Sequence, residues 1–501
     1  MNTGRHLRGR YERAEQMVGR GRLLPLIAGL FALIAALILL DVPAAGVTIV
    51  VAGLGLVVAF AVASGVREVL RANDAIPIAE DGVEWDAPFR EWWHKTFSSL
   101  EDVNFRMLYL GNVAQFGSMQ MQQVVRGWLV FHLTGSFAAL GTMALANALP
   151  ALVVSPIGGV VADRATKKTV IQAAQAYNAV NAGLLVILAA GWFGLHLEFW
   201  HLFLSSFLQG TVNSIMQPSR QAMISDLVPR ERLMNAIGIN SSGQTFMQLM
   251  GPGIAGFLIA ALSPSIVFAV MAGMYGFAMA CTMRLPEKPL YSFVRPGGAR
   301  RRGNGLADLI DGFRYVGRDP VLRMVLAVNF LIVTVSLPYT QLLPGFVATV
   351  LKRGAFEQGM LQSVQGFGAI AGALFVASAA STGRGKLLLV SGGLLGIAIV
   401  GFSMSTFYWI TLLIMLVLGA AQSARQAMGQ VLIQEYSQEE YRGRVAAVFF
   451  MQFGLVQFGT FIVGVLAYVF GPQLAIGGLA VLMLLVLGLV AALSPTMRRL
   501  D

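Results

Sequence analysis

The chain has 501 residues, 56% of them hydrophobic and only 12% charged, with a formal charge of +11 and a mean hydropathy of +0.68. That composition excludes a soluble globular protein, in which so large a positive charge would have pointed to nucleic acid. The single cysteine, Cys281, lies in an apolar run, which leaves no disulfide framework and no thiolate metal site.

Taken in chain order, apolar runs of about 18 residues or more, each long enough to cross a bilayer as a helix, predict about fourteen spans. They fall near 23–40, 44–66, 105–131, 137–162, 169–190, 199–224, 234–261, 264–283, 321–347, 358–380, 387–403, 407–432, 445–469 and 474–494. With loops alternating sides, 31 of the 36 Lys and Arg fall on one side; Lys352 and Arg353 fall on the other, and Arg126, Arg220 and Arg425 lie within spans. The positive-inside rule makes the basic side cytoplasmic and puts both termini there. The first run lacks a small-residue cleavage site, so it is expected to stay as an anchor.

Four parts follow. Residues 1–103 hold a basic tail, a hairpin closed at Asp41-Val42-Pro43, and a linker in which Phe89, Trp92, Trp93, Phe97 and Leu100 recur at helical spacing. Such a linker suits the membrane interface, and the hairpin is a candidate dock for a protein partner. Residues 104–284 and 321–501 are expected as two six-helix bundles, joined by a basic, Gly- and Pro-rich cytoplasmic loop over 285–320. The halves repeat: Pro218-Ser219-Arg220-Gln221-Ala222-Met223 in the fourth core span matches Ser423-Ala424-Arg425-Gln426-Ala427-Met428 in the tenth, 205 residues on. The fold class expected is therefore an all-α integral membrane protein of two six-helix bundles plus two N-terminal spans.

The turn Gly159-Val160-Val161-Ala162-Asp163-Arg164-Ala165-Thr166-Lys167-Lys168 packs an acid among cations between two apolar runs. A carboxylate in the last turn of a helix opposes the helix dipole, so Asp163 needs a cation or another helix N-terminus. That requirement makes the turn a conformational latch.

This string resembles motif A of the major facilitator superfamily, G-x-x-x-D-R-x-G-R-K, with Thr166 where the family usually has glycine. Gly127-Trp128-Leu129-Val130, Pro218-Ser219-Arg220-Gln221-Ala222 running on to Asp226-Leu227-Val228-Pro229, and Asp319-Pro320-Val321-Leu322-Arg323 are similar to the branch holding the enterobactin exporter and macrolide-efflux proteins. Gly251-Pro252 followed by Ala255-Gly256 resembles the exporters' motif C, whose small residues let a helix approach its neighbour closely. The likeness spans about 104–494.

The resemblance implies that core helices one, four, seven and ten line a central cavity. On the first, Asn112, Gln115, Met119, Gln122 and Arg126 share one face; on the fourth, Ser206, Gln209, Asn213, Gln217 and Arg220 do. Asn329, Ser336 and Thr340 flank Pro338 in the seventh, and the tenth supplies Thr411, Gln422 and Arg425. Substrate contacts are expected at Asn112, Gln115, Gln122, Arg126, Gln209, Asn213, Asn329, Ser336 and Arg425; interhelical hydrogen bonding is the other use of such stripes. Arg126 suits a carboxylate or phosphate, or else reaches the outer headgroups. Gating is expected of Gly159, Asp163, Arg164, Lys167, Lys168, Arg220, Asp226 and Arg444, with Asp226 and Glu435 as partners for Arg220 and Arg425. No span carries a carboxylate near its centre.

No nucleotide-binding loop, metal cluster or nucleophile–base pair appears, so neither an enzyme nor an ATP-driven pump is expected, and no cofactor. The expected function is secondary export of a small amphiphilic, anion-compatible compound from the bacterial cytoplasmic membrane. A lipid flippase and a non-transporting scaffold are the alternatives.

Overall fold

The computed structural model describes residues 98–164, 166–291, 305–378 and 383–494, and side chains for all of these except 151–164, 305–309 and 377–378. The expected N-terminal hairpin and the loop arginines at 295–302 lie outside the described residues. Everything described is helix or short connection. The first six long helices are α1 (Val103–Thr134), α2 (Phe137–Arg164), α3 (Lys167–Ala189), α4 (Phe199–Leu227), α5 (Leu233–Ala261) and α6 (Pro264–Met283). An amphipathic helix α7 (Gly305–Arg318) follows. Then come α8 (Pro320–Ser336), α9 (Pro338–Thr349), α10 (Ala355–Ser378), α11 (Arg384–Met404), α12 (Tyr408–Tyr436), α13 (Arg442–Phe450), α14 (Gln452–Phe470) and α15 (Pro472–Leu493). Eight helical segments among the described residues are long and apolar enough to cross a membrane, counting α8–α9 and α13–α14 each as one.

The sequence explains the ends. Asp102 caps α1 by accepting from the Asn104 and Phe105 amides, and Asp319 caps α8 in the same way from Val321 and Leu322. Gly135, at φ 60°, ends α1 in the left-handed conformation that glycine adopts without strain. The two aspartates are 217 residues apart, and so are Asn112 and Asn329, and Lys167 and Arg384. The repeat therefore reaches beyond the string containing Arg220. The offset falls to 205 at the fourth helix, and half of that fall comes from the longer connection between α3 and α4 than between α11 and α12.

Two breaks interrupt the long spans. Pro338 starts α9 because it cannot donate into the preceding turn. The second break, at Met451, has no proline and no sequence signal we recognise. The connection expected as a loop contains α7, which packs on α13: Tyr315 stacks on Tyr441 at 4.2 Å, and a methyl group on Gly312 would lie 3.0 Å from the Arg444 carbonyl.

Helices α1–α6 pack on one another, as do α8–α15, and the two groups meet along two seams, α5 with α10 and α2 with α14. One end of the molecule carries Lys167, Lys168, Arg230, Arg232, Arg384 and Arg442 and is called the basic end. In the half away from it the seams are tight. A Cβ on Gly256 would stand 3.1 Å from the Gly359 Cα, one on Gly141 3.1 Å from Phe461, and one on Gly127 2.8 Å from Pro344 of α9. The Gly251–Gly256 string thus makes the close approach expected of it. Toward the basic end the α5–α10 seam opens: Ser242 and Thr245 are exposed, Leu374 is 66% exposed, and a methyl group on Gly238 would meet nothing within 4 Å.

Candidate functional site

Among the described side chains the buried charged residues are three arginines, Arg126, Arg220 and Arg425, and no acid. Each is held by neutral groups. Arg126 donates from Nη1 to Ser206 Oγ at 2.8 Å and from Nη2 to Ser205 Oγ at 2.7 Å, and the Ser205 hydroxyl in turn donates to Asn181 Oδ1 at 2.9 Å. One turn below, the side-chain amides of Gln122 and Gln209 pair, and Tyr275 of α6 reaches the same pair. Lower still, Gln175 of α3 donates to Gln115 at 3.3 Å and Asn178 to Asn213 at 3.5 Å. The polar faces of α1 and α4 therefore meet each other, α3 and α6 inside the first group of helices.

The second group has a smaller version. Arg425 donates from Nη1 to Asn329 Oδ1 at 2.5 Å and from Nε to Gln422, and Asn329 donates to Gln452 at 3.1 Å. Its counterpart in the first group is the bond from Asn112 to Asn240 at 2.8 Å. Of the nine expected substrate contacts, eight are buried in this conformation and Asn213 is half-buried. Helical spacing placed them on shared helix faces. It carried no information on which neighbour each face meets, because the phase of one helix against another is set by packing.

The gating residues are placed as follows. Lys167 pairs with Asp226 at 2.5 Å, and Lys168 caps the end of α6 through the carbonyls of Met283 and Leu285 at 3.0 and 2.7 Å. Glu435 pairs with Arg384. The partners expected for Arg220 and Arg425 are thus taken by cations at the starts of α3 and α11, which lie nearer the solvated ends than the buried arginines do. Arg220 rests 4.3 Å above the Phe116 ring and donates to Gln217 at 2.9 Å. Arg444 lies over the Tyr441 ring at 5.2 Å. Helix α2 runs through Gly159, Asp163 and Arg164, whose side chains lie outside the described set.

Several residues escaped the sequence reading. Gln123 is exposed one turn from Gly127, the residue that abuts Pro344. Gln358, Gln362 and Gln365 share a face of α10: Gln365 donates to Tyr339 Oη at 3.0 Å, and both amide atoms of the fully buried Gln358 lack partners. Their spacing of four and three was visible, but α10 was not among the helices the resemblance singled out.

Replacing Ser205 and Ser206 together with alanine would remove both hydroxyl acceptors of a buried guanidinium and leave it only the Gln122 side-chain amide. The expected cost is about 2–4 kcal/mol, seen as a clear fall in the melting temperature of the purified protein. Unchanged melting would show that water already serves Arg126.

Two helix groups with polar centres, tight at one end and open along the α5–α10 seam at the other, have the layout of a membrane transport protein. The chain belongs to the transmembrane secretion effector family of the major facilitator superfamily, whose model matches residues 94–500. It is similar to the staphyloferrin A transporter of Staphylococcus aureus, with 23% identity over 368 residues, covering 73% of this chain and 88% of that one. It is also similar to macrolide efflux protein A of Streptococcus pyogenes, with 21% identity over 352 residues, covering 68% and 84%. Among solved structures, a bacterial homologue of the human lysosomal transporter Spinster, inward-facing and unoccupied, superposes with a TM-score of 0.62. Its identity is 15%, and the match covers 79% of this chain and 98% of that one.

Proposed function

We propose that the protein is a secondary exporter that moves a small amphiphilic compound out of the cytoplasm by alternating access. The observation that carries this reading is the seam between α5 and α10, tight around Gly256 and Gly359 and open from Thr245 to Gly238. With the basic end in the cytoplasm, this conformation faces inward. Substrate would meet the exposed Gln123 and the half-buried Thr340, Gln341 and Gln362, with Met119 supplying apolar contact. The buried networks around Arg126 and Arg425 would then form the walls behind these side chains and present their donors as the bundles rock. The family's secretion description favours export over uptake.

In this reading residues 104–284 and 321–501 are the two rocking bundles, and the spans near 23–40 and 44–66 bring the total to fourteen with both termini cytoplasmic. The hairpin would be an accessory for a protein partner. The turn from Gly159 to Lys168, with Arg220, Asp226 and Arg444, would form the inner gate.

The test is accumulation of fluorescent amphiphiles, anionic, zwitterionic and cationic, in bacteria lacking their own efflux pumps. Expression is expected to lower accumulation of at least one compound several-fold, and Gly359→Leu, which props the outer seam apart, to abolish the effect. Equal lowering by the Gly359 variant would contradict alternating access through this seam.

A further inference from the structure

The three buried arginines are not equally satisfied. Arg126 has both terminal nitrogens on serine hydroxyls, and Arg425 has Nη1 on Asn329 with Nε turned to Gln422. Arg220, 5% exposed, uses Nη2 on Gln217, while its Nη1 is buried and without a partner. Its neighbour Ser219, 1% exposed, also has a hydroxyl with no partner. A desolvated cationic N–H left unpaired is among the costlier defects a fold can retain. Among the described side chains no acid offsets it, and Asp226, the carboxylate nearest in sequence, is held by Lys167. The Phe116 ring covers one face of the guanidinium at 4.3 Å, and the unpaired Nη1 lies on its edge. Phe116 shares a face of α1 with Met119 and with the exposed Gln123.

We infer that Arg220 is the charge-selecting residue of the transport path and that its Nη1 takes one oxygen of an oxyanion, a carboxylate or phosphate, carried by the amphiphilic substrate. A guanidinium edge suits a planar or tetrahedral oxyanion, and an approaching cation would meet repulsion at short range in a medium that screens poorly. Phe116 and Met119 would contact the apolar part. The inference rests on the reading of the centre as a transport path and adds the sign of the substrate's charge. A free organic acid and a phospholipid headgroup offer the same oxyanion, so both belong in the test.

Binding is to be measured on the full-length protein in phosphatidylcholine nanodiscs with three probes: decanoate, decyltrimethylammonium, and lysophosphatidic acid. The wild type is expected to bind at least one of the two anions about tenfold more tightly than the cation. Arg220→Gln should erase that preference, while Arg220→Lys, which keeps the charge and is the milder change should the first variant fold poorly, should retain part of it. A preference for decanoate would identify a free acid as the source of the oxyanion, and one for lysophosphatidic acid a lipid. An anion preference that survives in Arg220→Gln would overturn the role of Arg220 and leave the exporter reading intact. A wild-type preference for the cation would overturn the oxyanion itself. Binding of none of the three by the wild type would overturn this substrate class, with accumulation in cells judging export separately.

Discussion

Gly419→Leu is expected to reduce the protein in the membrane fraction at least tenfold. Gly419 of α12 lies where a Cβ would come 2.9 Å from the Ala369 amide nitrogen of α10. The contact is reciprocal: a Cβ on Gly368 would lie 2.8 Å from the Leu416 carbonyl carbon, and one on Gly372 2.7 Å from the Ala420 Cα. These are backbone atoms, so no side-chain rotation relieves the clash. Without a hydrophobic drive between helices in lipid, close packing of small residues is what joins them. Overpacking by a whole isobutyl group should cost more than about 3 kcal/mol. Gly393→Leu on α11 is the matched control, because a methyl group there would meet nothing within 4 Å. Normal abundance of the Gly419 variant, assayed alongside that control, would show that α10 and α12 are farther apart than described.

Asp163→Asn is expected to lower transport by about five- to 150-fold with normal abundance. Asp163 lies at the C-terminal end of α2, where the helix dipole disfavours a carboxylate, and α13 of the opposite group begins at Arg442. A helix N-terminus is a favourable partner for a carboxylate, and the seam must close at the basic end for the two to meet. In the described conformation the motif's lysines stay within the first group of helices, Lys167 on Asp226 and Lys168 on the end of α6. The latch would therefore form only in the outward-facing state. Losing about 1–3 kcal/mol there depletes that state by the stated factor. Unimpaired transport by a well-expressed variant would remove the latch from the account.

Most of the helical layout was legible in the sequence, because a span needs only length and apolarity. The spans read near 264–283 and 137–162 match α6 and α2 to within two residues. The repeat was legible in one string and proved wider, since the caps Asp102 and Asp319 and the bridging Asn112 and Asn329 follow it. Helix α7 was missed because a glycine- and arginine-rich stretch precedes it and masks its periodicity. At the site, the sequence placed polar residues on shared helix faces but not the neighbours those faces meet. Arg126 and Gln122 lie on the face that was read, yet that face turns toward Ser205, Ser206 and Gln209. The exposed Gln123 lies about a third of a turn away. The orphaned Arg220 nitrogen had no sequence signal at all, because satisfaction is a property of geometry.

The central claim is that the two bundles rock between an inner and an outer opening. It is tested most directly by paired spin labels in protein whose buried Cys281 is replaced by alanine. One pair, at Ser242 and Ala373, spans the basic mouth; the other, at Thr134 and Arg353, spans the far end; all four positions are exposed. The account predicts two distance populations at each mouth, opposite in sense, with Asp163→Asn shifting both toward a wide basic mouth and a narrow far end. A single distance at each mouth, unmoved by that substitution, would contradict it.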